Sequence, residues 1–224
     1  MTLEPFAPTW VLFIASGDER LLHQIAQRQG SRLSQYRIDH IIHVVGASPA
    51  DLAPGWSLAR IESEAPIRLA EESLSGGHAP ITIFRGVTQH LHYTSGVQRQ
   101  ALEERSRVEF EPSPETTAVL IPIGKSQDWW QLVQDRRQAH FQTSSQYPGH
   151  TAIGIRYVDR VFRKLYHSRY MNPPTPYDFL TYFEFERAHA DDFNTLLHEL
   201  RDTGRNPEWA HVELEYEIWM TKIG

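Results

Sequence analysis

The chain has 224 residues, a net charge of −6 and no cysteine. Without cysteine there are no disulfides, thiolate nucleophiles, zinc–cysteine sites or iron–sulfur clusters, and the acidic balance argues against an extended nucleic-acid groove. A hydrophobic content of 40% is enough for one large domain or two small ones with a packed core.

In chain order, residues 9–16 read as a strand, with an apolar run too short to span a membrane. This run lacks a basic flank and follows Glu4, so it does not read as a secretory signal, and the expected location is cytoplasmic, or periplasmic if a signal has been removed. Residues 18–29 place Leu21, Leu22, Ile25 and Ala26 at helical spacing, and Gly30 stops them. Residues 36–45 are β-rich. Residues 46–80, with Pro49, Pro54, Pro66 and a Ser-Gly-Gly-His turn, show no clear period. Residues 81–93 read as a strand and 98–107 as helix or linker. The two prolines of Glu-Pro-Ser-Pro-Glu over 111–115 interrupt helix and ladder alike and mark the best boundary. This divides the chain into 1–110 and 111–224.

The second part gives a strand over 116–123, a helix over 127–142, a short helix over 150–157, strands over 161–168 and 179–186, a helix over 193–201 and a strand over 209–220. The order β-α-β-β-α-β is that of the split βαβ, or ferredoxin-like, unit. The first part has similar ingredients, consistent with an α+β protein of two such halves, each an antiparallel sheet with helices on one face.

Twelve histidines require sorting. His40 with His43 and His90 with His92 have ligand-like spacing but no nearby third ligand, and read as surface or interface residues. His150, after Pro148-Gly149, reads first as a cap or core residue, although a neutral imidazole is also a sound metal ligand. Thirteen residues on stands Arg163. In a strand over 162–166, Phe162, Lys164 and Tyr166 face one way and Arg163 and Leu165 the other, which reads as the buried face. A guanidinium cannot shed its charge, so such a placement needs an ionic partner. Trp129-Trp130 reads either as a core anchor or as indoles against a flat cofactor, and Lys125 either as a solvated lysine or as an ammonium for a cofactor carboxylate. No Gly-rich phosphate loop and no Gly-x-Ser-x-Gly elbow occurs.

Several stretches in order resemble the chlorite dismutases: Ile-Pro-Ile-Gly-Lys-Ser-Gln-Asp-Trp-Trp over 121–130, His-Thr at 150–151, Phe-Arg-Lys-Leu-Tyr-His-Ser over 162–168, Asp-Phe-Leu-Thr-Tyr-Phe-Glu over 178–184, and the strand starting Arg85-Gly-Val-Thr. The resemblance implies a dimeric α+β barrel of two ferredoxin-like halves, with one haem b per subunit in the C-terminal half. It matches His150 to the axial ligand and Arg163 to the arginine above the iron. Lys125, Tyr93 and Trp129, with Trp130 beside them, match residues that line the haem or hold its propionates. Leu165, Thr181 and Phe183 match further pocket positions. It also implies a glutamate behind the axial histidine. Arg205 or Gly204 aligns there and Glu208 lies slightly later, so Glu208 is assigned the role. The interval between Trp130 and His150 is longer than in the family, which keeps His140 as a rival ligand.

The implied activity is conversion of chlorite to chloride and dioxygen, with formation of the O–O bond, Arg163 retaining the transient hypochlorite. The alternatives are a coproheme decarboxylase, for which an uncharged residue or histidine is expected in place of Arg163, a haem peroxidase, or a haem-binding module without turnover. The implied partners are a small anion and further copies of the chain in a homopentamer, with neither nucleic acid nor membrane.

Overall fold

The computed structural model describes residues 8–27, 32–47, 51–67, 69, 80–88 and 108–224. Eight antiparallel strands close into one barrel: β1 (Trp10–Ser16), β2 (Arg32–Val45), β3 (Ser57–Ser63), β4 (Ile81–Val87), β5 (Thr116–Lys125), β6 (Phe162–His167), β7 (Phe179–Glu186) and β8 (Val212–Lys222), in the order β1-β3-β2-β8-β5-β7-β6-β4. Within each half of the chain the fourth strand lies beside the first, and the third separates the first from the second. The two four-stranded sheets meet at both edges. The 111–115 segment falls between β4 and β5, but the halves share one interior, because residues of both fill it.

The helices lie outside the barrel. α1 (Glu19–Gln27) is capped by Asp18, whose Oδ1 accepts from the amides of Arg20 and Leu21. It packs Leu21, Leu22 and Ile25 on Leu12, Ile14 and Ile61. The second half carries α2 (Gln127–Gln131), α3 (Gln134–Phe141), α4 (Gly149–Gly154) and α5 (Ala190–Arg201). α5 buries Phe193, Leu196, Leu197 and Leu200 against Val119, Phe183, Phe185 and Trp219. Each such side chain contributes roughly 1.5–3 kcal/mol by leaving water.

The interior explains a strand that the sequence hid. β3 is buried on both faces, with Leu58, Arg60 and Glu62 inward and Ala59 and Ile61 outward. Arg60 ion-pairs with Glu62 (2.9 Å) and Glu109 (2.8 Å), Lys222 with Glu184 (2.9 Å) and Glu109 (3.2 Å), and Lys164 with Glu62 (2.7 Å). Tyr36, Tyr166 and Tyr182 bond to the same carboxylates. Two charges at inward positions erase the alternation by which a strand is recognised.

Three other sequence expectations are corrected. The helix expected over 127–142 is two, α2 and α3, because Leu132 and Val133 are extended. Trp129 is buried while Val133 is 67% exposed, so the pieces share no apolar stripe. The last strand begins at Val212, not Trp209. Pro207 starts a 3₁₀ turn, Pro207–His211, from which the Trp209 indole reaches Glu215. The alternation in β6 holds with its faces exchanged: Phe162, Lys164 and Tyr166 face the barrel interior, and Arg163 lies exposed on the outer wall. Period alone separates two faces without saying which is inside.

Candidate functional site

β5 ends at Lys125, and the next residue, Ser126, caps α2. The Ser126 Oγ accepts from the Trp129 amide (3.2 Å), and the Ser126 amide donates to the His211 carbonyl (2.8 Å). This cap turns Trp129 inward, against His140, Phe141 and His211. The Lys125 ammonium lies 5.0 Å from the Trp129 ring centre and 5.3 Å from that of Trp209.

α4 begins at Gly149, whose φ of +75° is left-handed. A Cβ there would stand 2.5 Å from the Gln142 carbonyl oxygen, so no side chain fits. The Gly149 amide donates to the Arg205 carbonyl (3.1 Å). That one bond ties the start of α4 to the segment carrying Glu208, three residues on.

His150 follows. Its Nδ1 lies 2.7 Å from Glu208 Oε2, and Glu208 Oε1 lies 2.7 Å from Lys125 Nζ. Glu208 and Lys125 are both buried. Burial alone would raise the Glu208 pKa, but Lys125, and then His150, outweigh it and hold the carboxyl well below the usual range. An ionised carboxylate only accepts, so His150 Nδ1 carries the shared proton, and in the neutral imidazole Nε2 is then the bare nitrogen. The imidazole is 18% exposed and packs on Phe141 at 5.3 Å. Such an arrangement can ligate a metal through Nε2, with basicity raised from behind.

Arg163 has no hydrogen-bond or ion-pair partner among the described residues. Its surface is exposed, yet surrounding protein lowers its proton affinity, an effect opposed by the field of Glu208. The exposure is what decides that a small solute can reach the guanidinium.

Along the same outer face, Arg163 pairs in register with Phe183 and Leu165 with Thr181. Leu165 is half-buried and Thr181 buried. Phe183 is also buried, edge-on to Phe193 at 5.0 Å within the closed cluster under α5. Trp130 stacks on Phe179 (5.9 Å) below the Arg169 guanidinium (3.9 Å), and its indole N–H donates to Asp178. Asp178 also accepts from the Lys125 amide and from Arg169, joining β5, α2 and the end of β6.

The fold therefore gathers Lys125, Trp129, His150 and Glu208 into one cluster. Lys125 ion-pairs with Glu208. Tyr93 lies outside the described residues, as do His90 and His92. His140 stands behind Trp129, 5.5 Å from the His211 ring, and its buried Nδ1 has no partner. Burial and then His211 lower its pKa. His40 stacks on Trp219, and among the described residues no three acidic or histidine side chains cluster as a metal site. Sequence reasoning missed Phe141, Trp209 and His211, which carry no motif, and the bracing role of Asp178.

Comparison with known proteins places this geometry. A family model described as chlorite dismutase matches residues 19–221. The chain belongs to the chlorite dismutase family. A curated chlorite dismutase of Ideonella dechloratans is 31% identical over 122 residues, which are 54% of this chain and 39% of that protein, so the match spans about two-fifths of the relative's own length. Among solved structures, the dimeric chlorite dismutase of Nitrobacter winogradskyi is 28% identical, with a TM-score of 0.66 over 93% of this chain and 99% of that one. A chlorite dismutase mutant of Candidatus Nitrospira defluvii is 19% identical, with a TM-score of 0.67 over 97% and 92%.

Proposed function

We propose that this protein binds a haem b through His150 and converts chlorite, ClO2⁻, to chloride and dioxygen. The observation that carries this reading is the chain Lys125–Glu208–His150, with both separations 2.7 Å. In the neutral imidazole this fixes the tautomer and leaves Nε2 to hold the haem iron. Arg163, exposed and without an ion-pair partner among the described residues, supports the same reading, since an open cation suits an anionic substrate. Family membership supports it independently.

When bound, the haem supplies oxygen-atom transfer chemistry. The protein groups have separate tasks. Glu208 keeps the proton on His150 Nδ1, and Lys125 keeps Glu208 ionised. Arg163 attracts chlorite and holds the hypochlorite fragment until the second oxygen atom is recovered as dioxygen. Trp129 closes the histidine side from water, and Trp130, Leu165 and Thr181 shape the wall, with Phe183 packed behind them under α5. The atoms balance as ClO2⁻ → Cl⁻ + O2, so no external reductant is required. We further propose that the two sheet halves are ferredoxin-like units and that copies of the chain form a homopentamer.

An oxygen electrode tests the reading. Haem-loaded protein given chlorite should release dioxygen and chloride in equal amounts. Haem binding without oxygen release would overturn the activity, leaving peroxide-dependent oxidation to identify a peroxidase and no turnover to identify a binding module.

A further inference from the structure

The barrel closes at two seams, β2 with β8 and β4 with β6. Among the described residues β4 meets β6 at Val87 with His167. β6 is the strand that carries Arg163, and β7 pairs with it along its whole length. Side chains of the first half of the chain hold the inner face of β6 as well. Glu62 on β3 reaches the inner face of β6 twice, through Lys164 Nζ at 2.7 Å and the Tyr166 hydroxyl. Arg60 fixes Glu62 from behind at 2.9 Å. The Ser168 hydroxyl donates to the Arg85 carbonyl at 2.6 Å, and Gly86 lets β4 approach so closely that a Cβ there would lie 2.6 Å from the Tyr166 Cβ.

We infer that Glu62, in the first half of the chain, is a positioning residue for Arg163 on the opposite face of β6. Consecutive strand residues face opposite sides, so anchoring Lys164 and Tyr166 inward fixes the origin and direction of the Arg163 side chain. Glu62 itself touches neither substrate nor cofactor. The pair Glu62–Lys164 bridges the two halves of the chain. The inference rests on the anion-holding role proposed for Arg163.

The test uses haem-loaded protein with fluoride as a small anionic probe, read by its spectral change, together with hydrogen exchange of the β6 amides. Glu62→Gln and Lys164→Met should each weaken fluoride binding by roughly threefold or more, within the hundredfold that a displacement of about 1 Å can cost. Both should speed exchange in β6 while leaving β8 at the parent rate. Lys164→Arg keeps the ion pair and should keep the parent affinity. Lys164 is half-exposed, so its variants remain informative should Glu62→Gln fold poorly. Faster exchange with parent-like fluoride affinity would make the bridge structural only and overturn the inference, as would unchanged exchange in β6. A parent affinity that does not respond to Arg163→Ala would sink the proposed role of Arg163 as well. An affinity that responds to Arg163 but not to Glu62 or Lys164 overturns this inference alone.

Discussion

Two of the places where the molecule buries charge are finished differently. Inside the barrel, three cations (Arg60, Lys164, Lys222) meet three carboxylates (Glu62, Glu109, Glu184), and each acid has a cation within 3.0 Å. Outside, Lys125 and Glu208 form an equally tight pair, but the chain of contacts stops at His150, whose Nε2 is bare, and Arg163 stands open nearby. Paired charges in the first cluster tie strands together. The second uses the same chemistry to hold one nitrogen and one cation ready for something that is not protein. Function lies in what the packing leaves unsatisfied, a distinction that a count of ion pairs would not reveal.

The sharpest way to break the comparison is to remove the bare nitrogen. Groups standing behind a metal ligand are commonly worth about 10–100-fold in affinity, so His150→Ala should weaken haem binding by more than about a hundredfold. Titration of the apoprotein, followed by haem absorbance, checks this. His140→Ala should bind as the parent does, because His140 packs behind Trp129 and away from the Glu208 carboxylate bond. The reverse result would make His140 the ligand.

Acid distinguishes the closed cluster next. Burial alone would raise Glu62, but Arg60 and Lys164 bring its pKa down to about 2 from an ordinary 4.5. A carboxylate with a depressed folded pKa stabilises the fold above its unfolded pKa, and that contribution disappears as pH falls through the folded value. The difference is worth about 3 kcal/mol. Denaturant midpoints should therefore fall between about pH 4.5 and pH 2, and Glu62→Gln should flatten part of that fall. An identical acid profile in the variant would show that Glu62 does not hold its partners.

How much of this was legible in the sequence follows the same division. The second half could be read because its strands are long apolar runs between clear breaks and its motifs recur in a known family. In the first half β1, α1, β2 and β4 could be read as well, but β3 could not, because it places Arg60 and Glu62 where an apolar residue would have announced a strand. Glu208 was identified from its place in the chain, but its distance from His150 was not readable, since the two are fifty-eight residues apart and are joined by the Gly149–Arg205 bond. The outward direction of Arg163 was not readable either, because each face of β6 mixes charge with apolar surface.

Gly149 offers a smaller test of how the open site is held. A left-handed backbone costs a residue with a Cβ about 1–2 kcal/mol, and the Gln142 carbonyl stands in the way. Gly149→Ala should therefore lower stability by about 2 kcal/mol and disturb the His150–Glu208 bond, while leaving the interior network intact. Denaturant unfolding measures the first effect. Haem affinity that falls further than stability alone explains would establish the second.

Arg163 carries the smallest expected effect and the one that bears most directly on chemistry. Removing a pre-organised, dry donor to an anionic intermediate costs roughly 2.7–4 kcal/mol. Arg163 is neither dry nor braced by a protein partner. A loss of about tenfold in chlorite turnover, or about 1.4 kcal/mol, is therefore expected for Arg163→Ala, with haem occupancy unchanged. Arg163→Lys should fall between, since lysine keeps the charge and loses the planar fork. The alanine variant should also inactivate sooner, because hypochlorite that escapes attacks protein and haem, and methionine added as a trap should prolong its activity. A variant matching the parent in rate, lifetime and response to the trap would mean that an exposed cation can stand on this face of β6 without taking part in the reaction. The contrast between the closed and the open cluster would then rest on His150 alone.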